Sequence, residues 1–440
     1  MRDFSRLFTT RSPYDKHGSG ILHVTPAPVK DDDPMTHSPC DTPRPGRPSL
    51  LLAVIGLWLM VFGTSLEAAE RPLPDTIQPG VTYLQQVVDK AEATTIDQRK
   101  LAPLVDFIMQ DKTAGEPYFS TSDRLLDPLV YHEFELQQSL ATILQYAFHP
   151  DIPSHVLALS SIRCSYWKEV DGRPQPFPED IAKRLTDLDA PLVIHGIEHE
   201  EIAPDLFSGA YYSYDMNRTL IMCRIGGRMV WISLARQRDL SDVGRKGFVL
   251  GPDDDWNYIY SGEKGINKMG LGWVESYMYD AFSAIVYIQA DDATPRVRCG
   301  LFKWLRAGWN DMNFVRRSHI RRGLERYAET FRQILEAPQL PPPSRIAAAA
   351  EEIRSMSRSQ LQAHGRGHLQ SLENRFGSDR QFPDKWYAQA VENGLYLEQL
   401  TRPQLEAMVF LDYMKEALGR GTAQASELAV GQDGPGGGTP

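Results

Sequence analysis

Leu220-Ile221-Met222-Cys223-Arg224-Ile225-Gly226-Gly227-Arg228-Met229-Val230-Trp231-Ile232-Ser233-Leu234 is the stretch whose reading decides the fold. Two apolar, β-prone runs flank a Gly-Gly pair. Glycine accepts the positive φ of a tight hairpin turn, so the stretch reads as two antiparallel strands joined by two residues. Upstream, Leu192-Val193-Ile194-His195-Gly196-Ile197 reads as another strand. Downstream, Trp256-Asn257-Tyr258-Ile259-Tyr260 alternates with aromatics on one side. Trp273 to Gln289 reads as one long strand with Tyr277 and Tyr279 opposite Met278 and Phe282. With glycine-rich connections at Gly262, Gly265, Gly270 and Gly272, residues 190–290 are expected to form an antiparallel sheet.

On both sides the period changes. Val81, Leu84, Val87 and Val88, then Leu101, Leu104, Val105 and Ile108, recur at three and four, the spacing of one helical face. Leu129 to Phe148 continues that pattern until His149-Pro150, so 77–150 is expected to be a helical lead. Helical periodicity returns near Phe302, and Ile320, Leu324, Tyr327, Phe331 and Ile334 make a continuous stripe. Arg317, Arg321, Arg322, Arg326 and Arg332 lie mostly off it. A sheet with one apolar face needs a covering layer, so the 312–335 helix is expected to pack on the sheet. The alternative lays its arginines on an anionic membrane surface.

Pro338 and Pro341-Pro342-Pro343 read as an extended spacer. A second helical region runs from Ala347 to Leu418, with Thr401 and Gln404 spaced as a helix-capping pair. The expected fold class is α+β: a helical N-terminal lead, a central antiparallel sheet covered by a long C-terminal helix, and a small all-α unit. The expected divisions are an N-terminal extension at 1–34, a signal peptide or membrane anchor at 35–69, and a main domain at 70–337. A linker at 338–345, a helical unit at 346–420 and a glycine-rich disordered tail at 421–440 follow.

The export reading rests on Ser49 to Gly63, an uncharged run preceded by Arg44 and Arg47 and followed by Thr64-Ser65-Leu66-Glu67-Ala68-Ala69. Basic, apolar and small-residue regions in that order are those of a secretory signal. The run falls short of the ~20 residues of a comfortable membrane span, which favours cleavage, best after Ala68. Translation is expected to start at Met35, which the intact mass of the precursor tests. The destination is the periplasm or the outer side of an inner membrane. Cys164, Cys223 and Cys299 then remain, an odd number in an oxidising compartment, and all three are expected to be small buried residues.

A net charge of −10 argues against a dedicated nucleic-acid binder. Asp253-x-Asp255-x-Asn257 opens like a calcium loop, but Tyr258 and Lys264 stand where that loop needs Gly and Glu. There is no Gly-x-Ser-x-Gly, no phosphate-binding glycine-lysine loop and no Cys-x-x-Cys, and no cofactor is implied. His195 and His199 share one face of a strand and form the best metal candidate, with Asp205 able to close the site. The competing reading is a solvated strand end. Trp231, Trp256, Tyr258, Tyr260, Trp273, Tyr277 and Tyr279 concentrate in the expected sheet. They suit core packing or an aromatic-lined ligand pocket whose polar tips meet the ligand.

The order of elements resembles the helix-grip arrangement of START-like lipid-binding proteins. The matched parts are the hairpin 220–234, the strand 273–289 and the helix 312–335. In that family a curved sheet wraps the last helix and encloses an apolar cavity. The resemblance implies a non-enzymatic carrier or sensor of a lipid or other amphipathic small molecule. An extracytoplasmic scaffold with an unidentified protein partner is the alternative, and an envelope hydrolase or metalloenzyme the third.

Overall fold

The hairpin forms as its residues require. Strand pairing runs from Met216↔Gln237 to Ile225↔Arg228, and Gly226 and Gly227 turn the chain with φ of 58° and 80°. The computed structural model describes residues 71–90, 95–110, 118–119, 129–172, 188, 190–206, 208–268, 272–290, 294–380, 382–392 and 394–420. All belong to one unit that begins at Leu66. The proposed signal (49–69) and the tail (421–440) lie outside the described residues, as does the side chain of Trp273.

The main sheet is built from long strands β1 (Val130–Leu136), β2 (Ile162–Val170), β3 (Leu192–Ile202), β4 (Ser213–Ile225), β5 (Arg228–Gln237), β6 (Tyr277–Gln289) and β7 (Val297–Trp309). Their spatial order is β1-β7-β6-β5-β4-β3-β2. Every one of these neighbours is antiparallel, so β2 to β7 form a meander and β1 returns to pair with β7. Short strands extend it: Tyr118–Phe119 pairs with β1, Arg71–Pro72 with Tyr118–Phe119, and Met312–Asn313 with β7. A separate small sheet joins 210–211, from between β3 and β4, to 245–249 and 258–264, from between β5 and β6.

Side chains alternate across the strands, and the two faces are filled differently. One face carries Ile221, Cys223, Val230, Ile232, Leu234, Phe282, Ala284, Val286, Phe302 and Trp304. Helices α1 (Gln78–Asp89) and α2 (Gln98–Met109) cover it with Val81, Leu84, Val88, Leu101, Leu104 and Ile108. Toward the other face lie α3 (Leu140–Ala147) and α4 (Arg317–Leu335). The α4 stripe Ile320, Leu324, Phe331 and Ile334 is buried there with Trp231, Tyr287, Cys299 and Leu301. The stripe is therefore engaged in the core. At its C-terminal end Glu336 accepts the Gln137 N–H at 2.7 Å and Leu335 O accepts Gln138 at 3.0 Å, which ties α4 to the end of β1.

The same core continues into the C-terminal helices α5 (Pro343–Ser355), α6 (Arg358–Phe376) and α7 (Arg402–Ala417). Pro343 opens α5, where a missing N–H costs nothing. Thr401 caps α7, with Gln404 reaching back at 2.9 Å. Polar ties cross to the sheet side: Lys415 Nζ to Asn257 Oδ1 at 2.6 Å, Arg375 to Asp255 at 2.7 Å, and Gln404 to Glu201 at 2.7 Å. The acidic turn 253–255 is a short 3-10 helix whose Asp253 pairs with Arg326 at 2.7 Å.

Several sequence expectations are corrected. Val130–Leu136, inside the expected helical lead, is a strand. Its Val, Tyr and Phe content fits a pleated surface, while Leu129, Leu136 and Leu140 only mimic a helical stripe. Val297–Trp309 is also a strand, where helical periodicity was expected from Phe302. It buries apolar residues on both faces, which erases the period of two. The long helix begins at Arg317 rather than 312, because 312–313 pairs with β7. The long strand starts at Tyr277, Gly272–Val274 being a separate piece. Trp256 is left-handed (φ 53°) before the 258–264 strand, so it does not alternate within that strand.

Candidate functional site

Backbone register places an unusual row beneath α4. Gly196 pairs with Arg218, Arg218 with Ala235, Ala235 with Ser283, and Ser283 with Lys303. The two cations of this row are thus separated by Ala235 and Ser283, residues too small to fill the gap. A cavity of about 190 Å³ results, lined also by Ser154, Ser165, Glu198, Glu200, Tyr214 and Ser233. On α4, Gly323 lines the same space, and a Cβ there would meet no atom within 4 Å. Gly196 is small for a different reason: a Cβ would sit 2.7 Å from the Trp167 ring.

The charged groups form a network centred on Arg218. Its Nε donates to Glu198 at 2.7 Å and its guanidinium NH2 to Glu200 at 2.9 Å. Ser154 Oγ donates to the second Glu198 oxygen at 2.7 Å and lies 2.6 Å from Ser165 Oγ. Tyr214 OH donates to Glu200 at 3.3 Å. Both glutamates are buried, at 3% and 6% exposure, so each depends on these partners. Burial pushes the Glu200 carboxyl up to about 7, against the pull of Arg218. Burial opposes the Arg218 charge, but Glu198 and Glu200 outweigh it and hold the guanidinium firmly protonated.

Lys303 is the exception in this network. It lines the cavity, and among the described residues no hydrogen bond or ion pair engages its ammonium. Burial lowers its pKa, Glu200 partly offsets that, and Arg218 adds to it. The remaining surface of the side chain faces the void.

The other wall is aromatic and aliphatic. Trp231 stacks on Tyr287 at 4.1 Å, Tyr287 OH lies 3.1 Å from Tyr327 OH, and Leu157, Ile285, Leu301, Leu324 and Phe331 complete the lining. A second, more open pocket of about 470 Å³ shares Ala147, Phe148, Ser154, Ser165 and Trp167, and continues along β2 to α5 and α7.

Of the aromatic residues singled out by sequence, Trp231 lines the main cavity. Tyr258 and Tyr260 lie in the small sheet beside Arg163, whose guanidinium stacks on Tyr260 at 4.0 Å. Trp256 is fully buried with Arg420 over its ring at 4.5 Å. Tyr277 bonds Glu275, two residues before it, at 3.0 Å, and Tyr279 falls where the β6–β7 register shifts between Met278 and Asp280.

The histidines occupy the sheet face turned away from α4. His195 Nδ1 meets Thr219 Oγ1 at 2.9 Å. His199 Nδ1 meets Asp215 at 2.7 Å and its Nε2 meets Ser213 Oγ at 3.0 Å. Both ring nitrogens of His199 are therefore engaged. Among the described residues no group of three His, Cys, Asp or Glu side chains is placed to hold a metal. Cys164, Cys223 and Cys299 are buried free thiols.

Ser213, His199 and Asp215 do stand in the order hydroxyl, base, orienting carboxylate. Acyl transfer also needs donors aimed at a developing oxyanion. The adjoining backbone offers acceptors that are already used: Ser213 O takes the Asp242 N–H and Asp215 O takes the Arg238 N–H. The neighbouring cation Lys168 is held by Asp215 at 2.6 Å.

Sequence reasoning missed Glu198, Glu200, Arg218 and Lys303 as a group. The available signal was charge at every second position of an apolar strand: Glu198 and Glu200 in β3, Lys303 between Leu301 and Leu305 in β7. No protein-family model matches the chain, and neither a curated protein nor a solved structure matches it.

Proposed function

We propose that this chain is an exported, non-enzymatic binding protein for a small amphipathic molecule, held between the sheet and α4 in a helix-grip arrangement. The observation that carries the reading is Lys303: a cation lining a partly open, largely apolar cavity, with no hydrogen bond or ion pair at its ammonium among the described residues. Ligand sites pair apolar walls with a few placed polar groups in this way. The START-like resemblance is supported by the antiparallel meander, the return of β1 beside β7, and the burial of the α4 stripe. The size argues for a small ligand. A dry cavity of ~150 Å³ holds benzene, so about 190 Å³ suits about eight heavy atoms, with the adjoining pocket available to a longer tail.

Native mass spectrometry of the gently purified chain tests the proposal. An organic adduct lost on mild activation is expected. A bare chain that also takes up neither 1-hexanol nor benzyl alcohol would refute it. Export is tested separately by sequencing the N-terminus of protein recovered from the cell envelope, where a start beyond Ala68 is expected.

A second reading, an envelope hydrolase, is favoured by Ser213, His199 and Asp215 alone. A fluorophosphonate probe decides between the two: labelling of Ser213 that disappears in His199→Ala supports the hydrolase, and an unlabelled chain leaves the binding protein.

A further inference from the structure

Both carboxylates of the cavity are hydrogen-bonded to one of its two cations, Arg218. Glu198 and Arg218 neutralise one another through a 2.7 Å contact. Glu200 shares the same guanidinium at 2.9 Å and also receives Tyr214 OH. Its acceptor capacity is thus turned toward Arg218 and Tyr214. Lys303, four strands from β3 in the sheet order, receives neither carboxylate as a hydrogen-bond partner. Glu200 and Arg218 act on it through space with opposite sign, Ser283 stands on the paired strand, and Leu301, Leu324 and Phe331 line the same cavity. An ammonium in such surroundings is stabilised by an incoming anion, and a carboxylate is the anion that joins a charge-assisted acceptor to a compact apolar body.

We propose that the ligand is a small monocarboxylate, its carboxylate accepting a hydrogen bond from Lys303 Nζ and its alkyl or aryl body lying against Trp231, Tyr287, Leu301 and Phe331. This rests on the binding-protein reading above and specifies its polar group. Ser283 and the Tyr287–Tyr327 hydroxyl pair supply further donors at the same wall. Size selects among carboxylates: hexanoate and benzoate have about the eight heavy atoms that the cavity accommodates.

Calorimetric titration of the full chain with hexanoate against 1-hexanol, and with benzoate against benzyl alcohol, tests the assignment. The acid of at least one pair should bind about ten- to a hundredfold more tightly than its alcohol, the range of a charge-assisted hydrogen bond. The pair that shows the preference separates an alkyl from an aryl ligand. Lys303→Met should abolish the preference while leaving the alcohol's affinity unchanged. Lys303→Arg, which keeps a cation at the same place, should retain the acid preference and keeps the test decisive should Lys303→Met misfold. Equal affinity for acid and alcohol, or an acid preference that persists in Lys303→Met, overturns the carboxylate assignment and leaves the cavity reading standing. Failure of all four compounds to bind removes both.

Discussion

Gly323 stands exposed at the rim of the cavity, so a side chain there can narrow its mouth from the helix side without disturbing the charged row. It lies inside α4, has no positive φ, and a Cβ would meet nothing within 4 Å. Gly323→Ala removes the entropic penalty of a helical glycine, so it should stabilise by about 1 kcal/mol. For a chain of this size that raises Tm by about 2 °C. Gly323→Leu keeps nearly the same helix propensity but adds four carbons. Taking each as about the size of a water, ~30 Å³, they bring on the order of 120 Å³ of side chain to the mouth of a 190 Å³ cavity. Urea unfolding should therefore place Gly323→Leu at or above the wild-type midpoint, while calorimetry shows hexanoate or benzoate affinity falling more than about tenfold, or 1.4 kcal/mol. A leucine variant destabilised by more than about 2 kcal/mol, the overpacking range, would mean that the space is not there. A stable variant that binds the acid as before would mean that the ligand sits elsewhere.

Three further outcomes follow from the same geometry. Glu200 has a folded pKa of about 7, raised by burial above its ordinary 4.5. The folded chain therefore holds a proton that the unfolded chain has lost, and this contribution, complete below about 4.5, is lost as pH rises through about 7. Glu200→Gln should remove up to about 3 kcal/mol of that fall. The test is the variant-minus-wild-type difference in urea stability between pH 5 and 8, because buried His155, lowered to about 4, drives the opposite trend in both proteins; a flat difference refutes the assignment. Arg218→Met strands two buried carboxylates, so a loss of about 3–5 kcal/mol is expected in chemical denaturation, and a loss below about 1 kcal/mol would show the network to be solvated. Gly196→Ala would press a methyl onto Trp167 and the Glu169 carbonyl; a cost of at least about 1–3 kcal/mol in thermal melts is expected, and an unchanged melt would show that β2 and β3 do not approach as described.

The hairpin was legible because its turn and its strands are encoded locally: Gly226-Gly227 supply positive φ and the flanking runs supply β propensity. The Thr401–Gln404 cap and the α4 stripe were legible for the same reason. Val130–Leu136 and Val297–Trp309 were not, because strand β7 is buried on both faces and β1 gains its identity from β7. The candidate site failed for a related reason. In His195-Gly196-Ile197-Glu198-His199-Glu200-Glu201, a period of two separates His199 from Glu198 and Glu200 but does not say which set faces inward. The histidines drew notice as metal-ligand types, yet the glutamates take the enclosed side. Arg218 and Lys303 lie 85 positions apart in sequence, and only the register through Ala235 and Ser283 sets them in one row.

The strongest case for a ligand comes from comparing the two faces of the same strands. Where β4 to β7 face α1 and α2 they present Ile221, Val230, Ile232, Val286 and Phe302, a core of aliphatic and aromatic side chains. Where they face α4 they present Arg218, Ser233, Ser283 and Lys303 at the centre. Apolar residues of helices are buried with residues of each face, so both faces take part in a core. A buried ion pair is often no more stable than well-packed hydrophobic residues of equal volume, and the half-buried Lys303 ammonium, with no partner among the described residues, gains nothing from its site. A row of leucines and valines would therefore fold as well or better on the α4 side, as it does on the other. Stability alone gives no reason for the difference, whereas a molecule that completes the row does. Lys303→Met should leave the ligand-free chain as stable as wild type or more so in urea, by about 1 kcal/mol or more. A large loss in that variant would mean that the lysine serves the fold, and the contrast between the faces would then say nothing about a ligand.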